Sequence, residues 1–453
     1  MRYVMNSNAI LKQGFQDHKG PFQVFSSHGP VIILPHHMLD EIRNDDRLSF
    51  LKLSAVMFMR QYSGLETFHV NHEEHRIFLA VIKQSLTQSL SAITGDMAKE
   101  TYSMLNELLS TVTEDWSPVC LAPITPFMAA RLSAKVFLGD QLCHNKEWLN
   151  ISVFYTINAV QAVQKMRHWP PFMRSIVQYF LPEFKMIRNQ IKLARTIIEP
   201  EIAERKRKRR DAVMTGKPVP RPADALEWMD AQAEGKPFDK VLAQILMSFV
   251  SIHTTSGTLL GLMYDLISHP EHISALRTEI ADVLKAEGGW TKTTLHKMKL
   301  LDSCLKESQR LHPMNAILMN RLAITPVTLS DGTRLPAGAM VGIPTYPMND
   351  TSSPLYARPA AFDGRRFLRL RAHDDNRWQF VATSPEHYGF GHGKQSCNEI
   401  KIVVAHLLLL FDWRFEEGGE PRGVSVVDCE FVPDLAQRVL VRRRVPEVDL
   451  GGF

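Results

Sequence analysis

The run Tyr388-Gly389-Phe390-Gly391-His392-Gly393-Lys394-Gln395-Ser396-Cys397 joins a pliable backbone to one soft ligand. Its three glycines lack the Cβ that would hold a ligand off, so the main chain can turn tightly and lie against a flat molecule. A thiolate at the end of such a loop can ligate a heme iron and push electron density toward bound oxygen. Glu307 and Arg310 stand three residues apart, on one face of a helix, and by themselves read as an ordinary surface pair. Ser251-Ile252-His253-Thr254-Thr255-Ser256 places two adjacent hydroxyls in a long apolar segment. Such threonines are usually satisfied by carbonyls of their own helix, but they can also relay a proton or order a water. His69, His72 and His75 recur every three residues beside Glu73 and Glu74. A zinc hydrolase needs its histidines one turn apart on one face, so these read better as a polar helix start. Cys120, Cys143, Cys304 and Cys429 have no paired spacing and read as packed thiols.

Composition narrows the classes that could carry this chemistry. A hydrophobic share of 45% with 22% charged residues is that of a globular protein. A net charge of +5 over 453 residues gives no ground for a nucleic-acid partner. Five scattered cysteines, an odd number, argue for a reducing compartment and against a disulfide framework. The longest apolar run, residues 402–411, is too short to span a bilayer, and no signal peptide precedes it.

The elements that must hold the candidate residues are mostly helical. Apolar residues recur at helical spacing from 51 to about 267, with Thr113 and Ser117 as candidate N-caps and a break at Trp169-Pro170-Pro171. The basic run at 205–210 reads as a solvated helix face rather than a localisation or docking patch. Residues 239–268 form one long helix, buried through its middle and stopped by His269-Pro270; Pro270 then opens another helix to about 286. A helix over 302–311 ends before Pro313. Alternation around Asp331-Gly332 predicts a hairpin, a helix follows at 400–411, and short strands close the chain at 424–444. The fold class is mainly α with a small β portion.

Glu307 and Arg310, then Arg366 before Phe367, then Phe390 to Cys397 resemble the cytochrome P450 monooxygenases in order and spacing, over nearly the whole chain. The resemblance implies a single P450 domain over 1–453, helix-rich at 40–312 and 398–413, with β-containing parts at 20–35, 320–345 and 420–445. It implies heme held by Cys397 within a cradle of Phe390, Gly391, His392 and Gly393, and propionates met by Arg321 and Lys83. It implies a structural triad of Glu307, Arg310 and Arg366. Thr255 falls on the family's threonine and Thr254 on its usual acid, so both are assigned to proton delivery. Phe249, Val250, Ile317 and Leu318 flank these segments and are expected to line a substrate pocket. The fungal members resembled here imply electrons from NADPH through NADPH–cytochrome P450 reductase, a hydrophobic substrate, a membrane surface and the cytosolic face of the endoplasmic reticulum.

Two departures stand out. The family's membrane anchor and proline-rich hinge are not visible ahead of Tyr3-Val4-Met5, which leaves a soluble form open. After the cysteine the family continues Cys-Pro-Gly-Arg-Phe-Phe-Ala, then one residue and Asn-Glu-Ile-Lys, whereas here Cys397 meets Asn398-Glu399-Ile400-Lys401 directly. About seven residues, some two helical turns, are missing. The alternative expectation is therefore a remnant of such an enzyme that does not bind heme productively.

Overall fold

The computed structural model describes the chain apart from residues 1, 19, 70–71, 352–354, 390–397, 418, 420–424, 428–429, 433 and 452–453. It also leaves out the side chains of 2–5, 72, 83, 87, 90, 398, 425–427 and 430–432. Internal contacts divide the chain into two compact units. One comprises residues 55–104 and 126–256; the other comprises 1–54, 105–125 and 257–453.

The first unit is a helical assembly. Helices α1 (Thr125–Leu138), α2 (Lys146–Arg167), α3 (Pro182–Met214), α4 (Ala225–Ala233) and the first part of α5 (Lys240–Ser268) carry most of it. Their starts are set locally. Asn145 caps α2 by accepting from the Trp148 N–H (2.9 Å), and Pro182 opens α3 where no N–H is needed. Asp239 accepts from the Leu242 N–H (3.1 Å) at the head of α5. Ile252 of α5 packs with Ala129, Ala130 and Val153, and the Tyr155 hydroxyl donates to the Gly64 carbonyl (2.8 Å). By length and composition α5 could cross a membrane, but just over half of its most apolar window is buried in the protein (56%), which marks a core helix. The basic run is not a bare charged face. Arg205 grips Asp224 with both terminal nitrogens (2.7 Å each) and Arg209 bonds Asp230 (2.9 Å), so the run ties α3 to α4.

The second unit holds the sheets. A five-stranded sheet runs in the spatial order Phe22–Ser26, Gly29–Ile33, Met340–Pro344, Ile317–Ala323, Leu48–Ser49, parallel only between Gly29–Ile33 and Met340–Pro344. Ser117–Cys120, Arg438–Arg443 and Phe411–Phe415 make a three-stranded antiparallel sheet in that order. Helices α6 (Glu271–Glu287), α7 (Lys299–Leu311), α8 (Arg366–Arg371) and α9 (Asn398–Leu410) are among the helices of this unit. The expected hairpin is present: Val327 and Thr328 pair with Leu335 and Arg334 around Gly332, whose φ of 86° suits a residue without a Cβ. Ser117 and Thr113 cap no helix. Ser117 begins a strand, and the Thr113 hydroxyl accepts from Asp115 (3.3 Å), because pairing with Arg438–Arg443 outweighs local capping preference.

Candidate active site

Every residue of α7 from Leu300 to Arg310 is buried, although the sequence there is mostly polar. Such a helix is stable only if most of its polar groups find partners. The Glu307 carboxylate receives the Arg310 guanidinium at two points (2.8 Å each), Arg366 Nε on both oxygens (3.0 Å each) and the Asp363 N–H (3.0 Å). The remaining arginine N–H groups are spent on carbonyls. Arg310 donates to Met348 (2.6 Å), Pro359 (2.5 Å) and Ala361 (3.3 Å); Arg366 donates to Ala357 (2.7 Å). The structure thus brings Glu307, Arg310 and Arg366 together, with Glu307 and Arg310 wholly shielded from solvent. A buried carboxylate with two cations is tolerable because its lone pairs are filled.

The chain leading to the cysteine leans on the same helix. Lys306, fully buried, donates to the carbonyls of Gln379 (3.0 Å) and Ala382 (2.6 Å), and burial pushes its ammonium down to about 7. The His387 ring Nε2 lies 3.0 Å from the Lys306 carbonyl, and the Tyr388 hydroxyl donates to Pro344 (2.7 Å). At Gly389 any Cβ would sit 2.7 Å from Cγ of Gln309, so only glycine allows the backbone this close to α7. Phe390, Gly391, His392, Gly393 and Cys397 lie outside the described residues.

Arg321 lies on the strand Ile317–Ala323 and is partly buried. Its guanidinium donates to the Asn320 carbonyl (2.9 Å) and sits over the Phe50 ring, 5.7 Å from the centroid. Among the described residues it meets no carboxylate, and desolvation lowers its pKa. The Lys83 backbone is in the π-helical turn Val81–Leu86; its side chain lies outside the described residues. On α5, the Thr254 hydroxyl bonds back to the carbonyls of Val250 (2.9 Å) and Ser251 (3.0 Å). Thr255 is 8% exposed, and its hydroxyl makes no hydrogen bond among the described residues. Phe249 meets Phe58 and Phe68 edge-on (centroids 5.2 and 4.9 Å), while Val250 is exposed. Ile317 packs with Leu11, Val24, Val31 and Ile33, and Leu318 packs on the neighbouring cluster that contains Met319 and Tyr388.

The cytochrome P450 sequence profile matches residues 25–425. The chain belongs to the cytochrome P450 family. It is 36% identical to cytochrome P450 monooxygenase hepE of Aspergillus oryzae, over 98% of this chain and 82% of that one. It is 34% identical to pyr3 of Aspergillus fumigatus (99% and 87% covered) and 35% identical to adrA of Penicillium rubens (99% and 89%), both named as P450 monooxygenases. The solved structure of retinoic-acid-bound cyanobacterial CYP120A1 superposes with a TM-score of 0.68 over 98% of this chain and 96% of that one. At 18% identity that likeness speaks for the fold.

The described residues of this P450 fit a heme. Arg321 is a desolvated cation that meets no carboxylate among the described residues, a group whose charge a heme propionate would match. Gly389 brings the backbone flush against α7 just ahead of the cysteine loop. Sequence reasoning missed how much of α7 works: Asp302, Lys306 and Gln309 all face the segments around that loop. The signal was there, a polar face of charged and amide residues beside Leu301, Cys304 and Leu305, yet polarity alone reads as exposure. Among the described residues, His69 and His75 join no metal-ligand cluster. Glu100, Cys143 and His144 do converge, but Arg131 already donates to Glu100 (2.5 Å), and burial pushes the Cys143 thiol up to about 11. They form an ion-paired knot. Cys304 and Cys143 are buried free thiols and Cys120 donates to the Leu435 carbonyl (3.1 Å); Cys429 lies outside the described residues.

Proposed function

We propose that the chain inserts one atom of dioxygen into a hydrophobic small molecule, a secondary metabolite such as a terpenoid, using electrons from NADPH delivered by NADPH–cytochrome P450 reductase at the cytosolic face of the endoplasmic reticulum. The change balances as RH + O2 + NADPH + H+ giving ROH + H2O + NADP+. Heme, when bound, supplies the iron at which dioxygen is activated. The observation that carries the reading is Arg321, a partly buried guanidinium with no carboxylate partner among the described residues, in a chain whose family places a heme propionate at such an arginine. Cys397 is the proposed axial ligand, Phe390, Gly391, His392 and Gly393 the cradle, and Lys83 a second propionate partner. Because the Thr254 hydroxyl is spent on its own helix, Thr255 is the one free to hold and pass a proton. Phe249, Val250, Ile317 and Leu318 are proposed to meet substrate.

A second reading, a remnant that does not bind heme productively, is favoured by one observation. Helix α9 begins at Asn398, directly after Cys397, and runs only 13 residues to Leu410. The family's seven residues between the cysteine and this point are absent from the sequence. Expression with heme, reduction and addition of carbon monoxide separates the two. The red-shifted Soret band of a thiolate-ligated heme is the expected result; heme uptake without that band, or no uptake, establishes the remnant. Incorporation of one atom of 18O2 into a terpenoid panel then tests the substrate class.

A further inference from the structure

A second buried charge cluster lies five residues before Glu307 on α7. The Asp302 carboxylate is 3% exposed and uses both of its oxygens. One pairs with the Lys401 ammonium, which also donates to the Leu295 carbonyl (3.1 Å). The other accepts from Arg371 Nη1 (2.8 Å) and from the Phe380 N–H (2.8 Å). Phe380 lies in the chain that enters the cysteine loop, and Lys401 lies in the helix that leaves it, four residues after Cys397. One carboxylate therefore fastens both ends of the segment containing the cysteine. Lys306, one turn further along α7, adds two more bonds on the entering side, at Gln379 and Ala382.

We propose that Asp302 and Lys306 are positioning residues of the heme-thiolate site that act through its two flanks, Asp302 tying Phe380 and the start of α9 at Lys401 to α7 and Lys306 holding Gln379 and Ala382. This deepens the heme-thiolate reading and rests on it. Arg371 keeps a second partner in Asp375 (3.1 Å), whereas Asp302 is the only ion-pair partner of Lys401 among the described residues. The exit side of the loop is thus the one most dependent on a single carboxylate.

The test compares Asp302→Asn, Lys401→Met and the charge-balanced double variant D302N/K401M with Asp224→Asn. Asp224 is an equally buried carboxylate in the other unit, tied to Arg205. Two readouts are taken: hydrogen exchange of the amides at 398–404 with and without heme, and the fraction of heme giving the thiolate-type carbon monoxide band. Loss of a charge-assisted bond predicts exchange at 398–404 at least about tenfold faster in the Asp302 and Lys401 variants. The thiolate fraction falls in parallel, and Lys401→Arg restores both. Exchange at 398–404 rising no more than in D224N, at matched global stability, overturns the proposal. K401M keeps the test alive if D302N does not fold, since it leaves Asp302 paired with Arg371. A wild-type chain lacking the thiolate band removes the proposed function, and the exchange readout then decides the clamp by itself.

Discussion

His406 shows how a single side chain sets a pH limit. It is fully buried in α9, its ring stacks on Trp290 (centroids 4.9 Å apart, 14° between planes), and Nδ1 lies 2.8 Å from the Ile402 carbonyl. Nε2 has no partner among the described residues, so protonation there would strand a charge in the core. Burial accordingly pushes the ring down to about 4 from its ordinary 6.5. Between these values the unfolded chain binds the proton and the folded chain does not. Stability is therefore present above pH 6.5 and is lost as pH falls toward 4, by about 3 kcal/mol in total. Urea unfolding at stepped pH values should show this slope, and His406→Gln should flatten it. Neither the stacking nor the burial was legible in the sequence, where residues 402–411 read simply as an apolar run broken by a histidine.

At the scale of elements, α7 is a polar helix treated by the fold as core. Its strength lies in stoichiometry: Glu307 faces two arginines, and the arginines spend their spare donors on carbonyls of residues 348–361. Glu307→Gln keeps the shape but leaves two buried cations without an anion. The expected cost is about 3–5 kcal/mol, read as a lower urea midpoint, with heme retention falling alongside. A truncation that left the network satisfied would cost far less, so a loss below about 1 kcal/mol would show that the pairing does not hold the helix. The motif itself was legible as Glu307, Arg310 and Arg366. The carbonyl partners of Arg310 were not, since they lie 38 to 51 residues away in sequence and no local pattern marks them.

For the molecule as a whole, the proposed activity rests on the junction at Cys397 and Asn398. Helix α9 is well anchored, by Lys401 and by Arg277, which donates to the carbonyls of Leu408 (2.7 Å) and Phe411 (2.8 Å). A helix anchored at both ends is not free to shift and make up for a shorter sequence. Inserting the family's Pro-Gly-Arg-Phe-Phe-Ala and one further residue after Cys397 should therefore raise the thiolate-type carbon monoxide signal several-fold, because it restores about two turns, or roughly 10 Å, of helix. An insertion that leaves the signal unchanged would show that the shorter connection already serves.

The amino-acid sequence by itself determined the family, the helical texture, the hairpin at Asp331-Gly332 and the residues of the Glu307 triad. Each of these is written in local spacing or in motif order, which the chain carries before it folds. It misassigned Ser117 and Thr113, where strand pairing overruled capping chemistry, and it read Arg205 and Arg209 as solvated when Asp224 and Asp230 hold them. Only the tertiary structure decided that the polar residues of α7 are buried and that Asp302 joins Phe380 to Lys401. Burial of a charge depends on partners brought from distant parts of the chain, and periodicity within one helix carries no information about them.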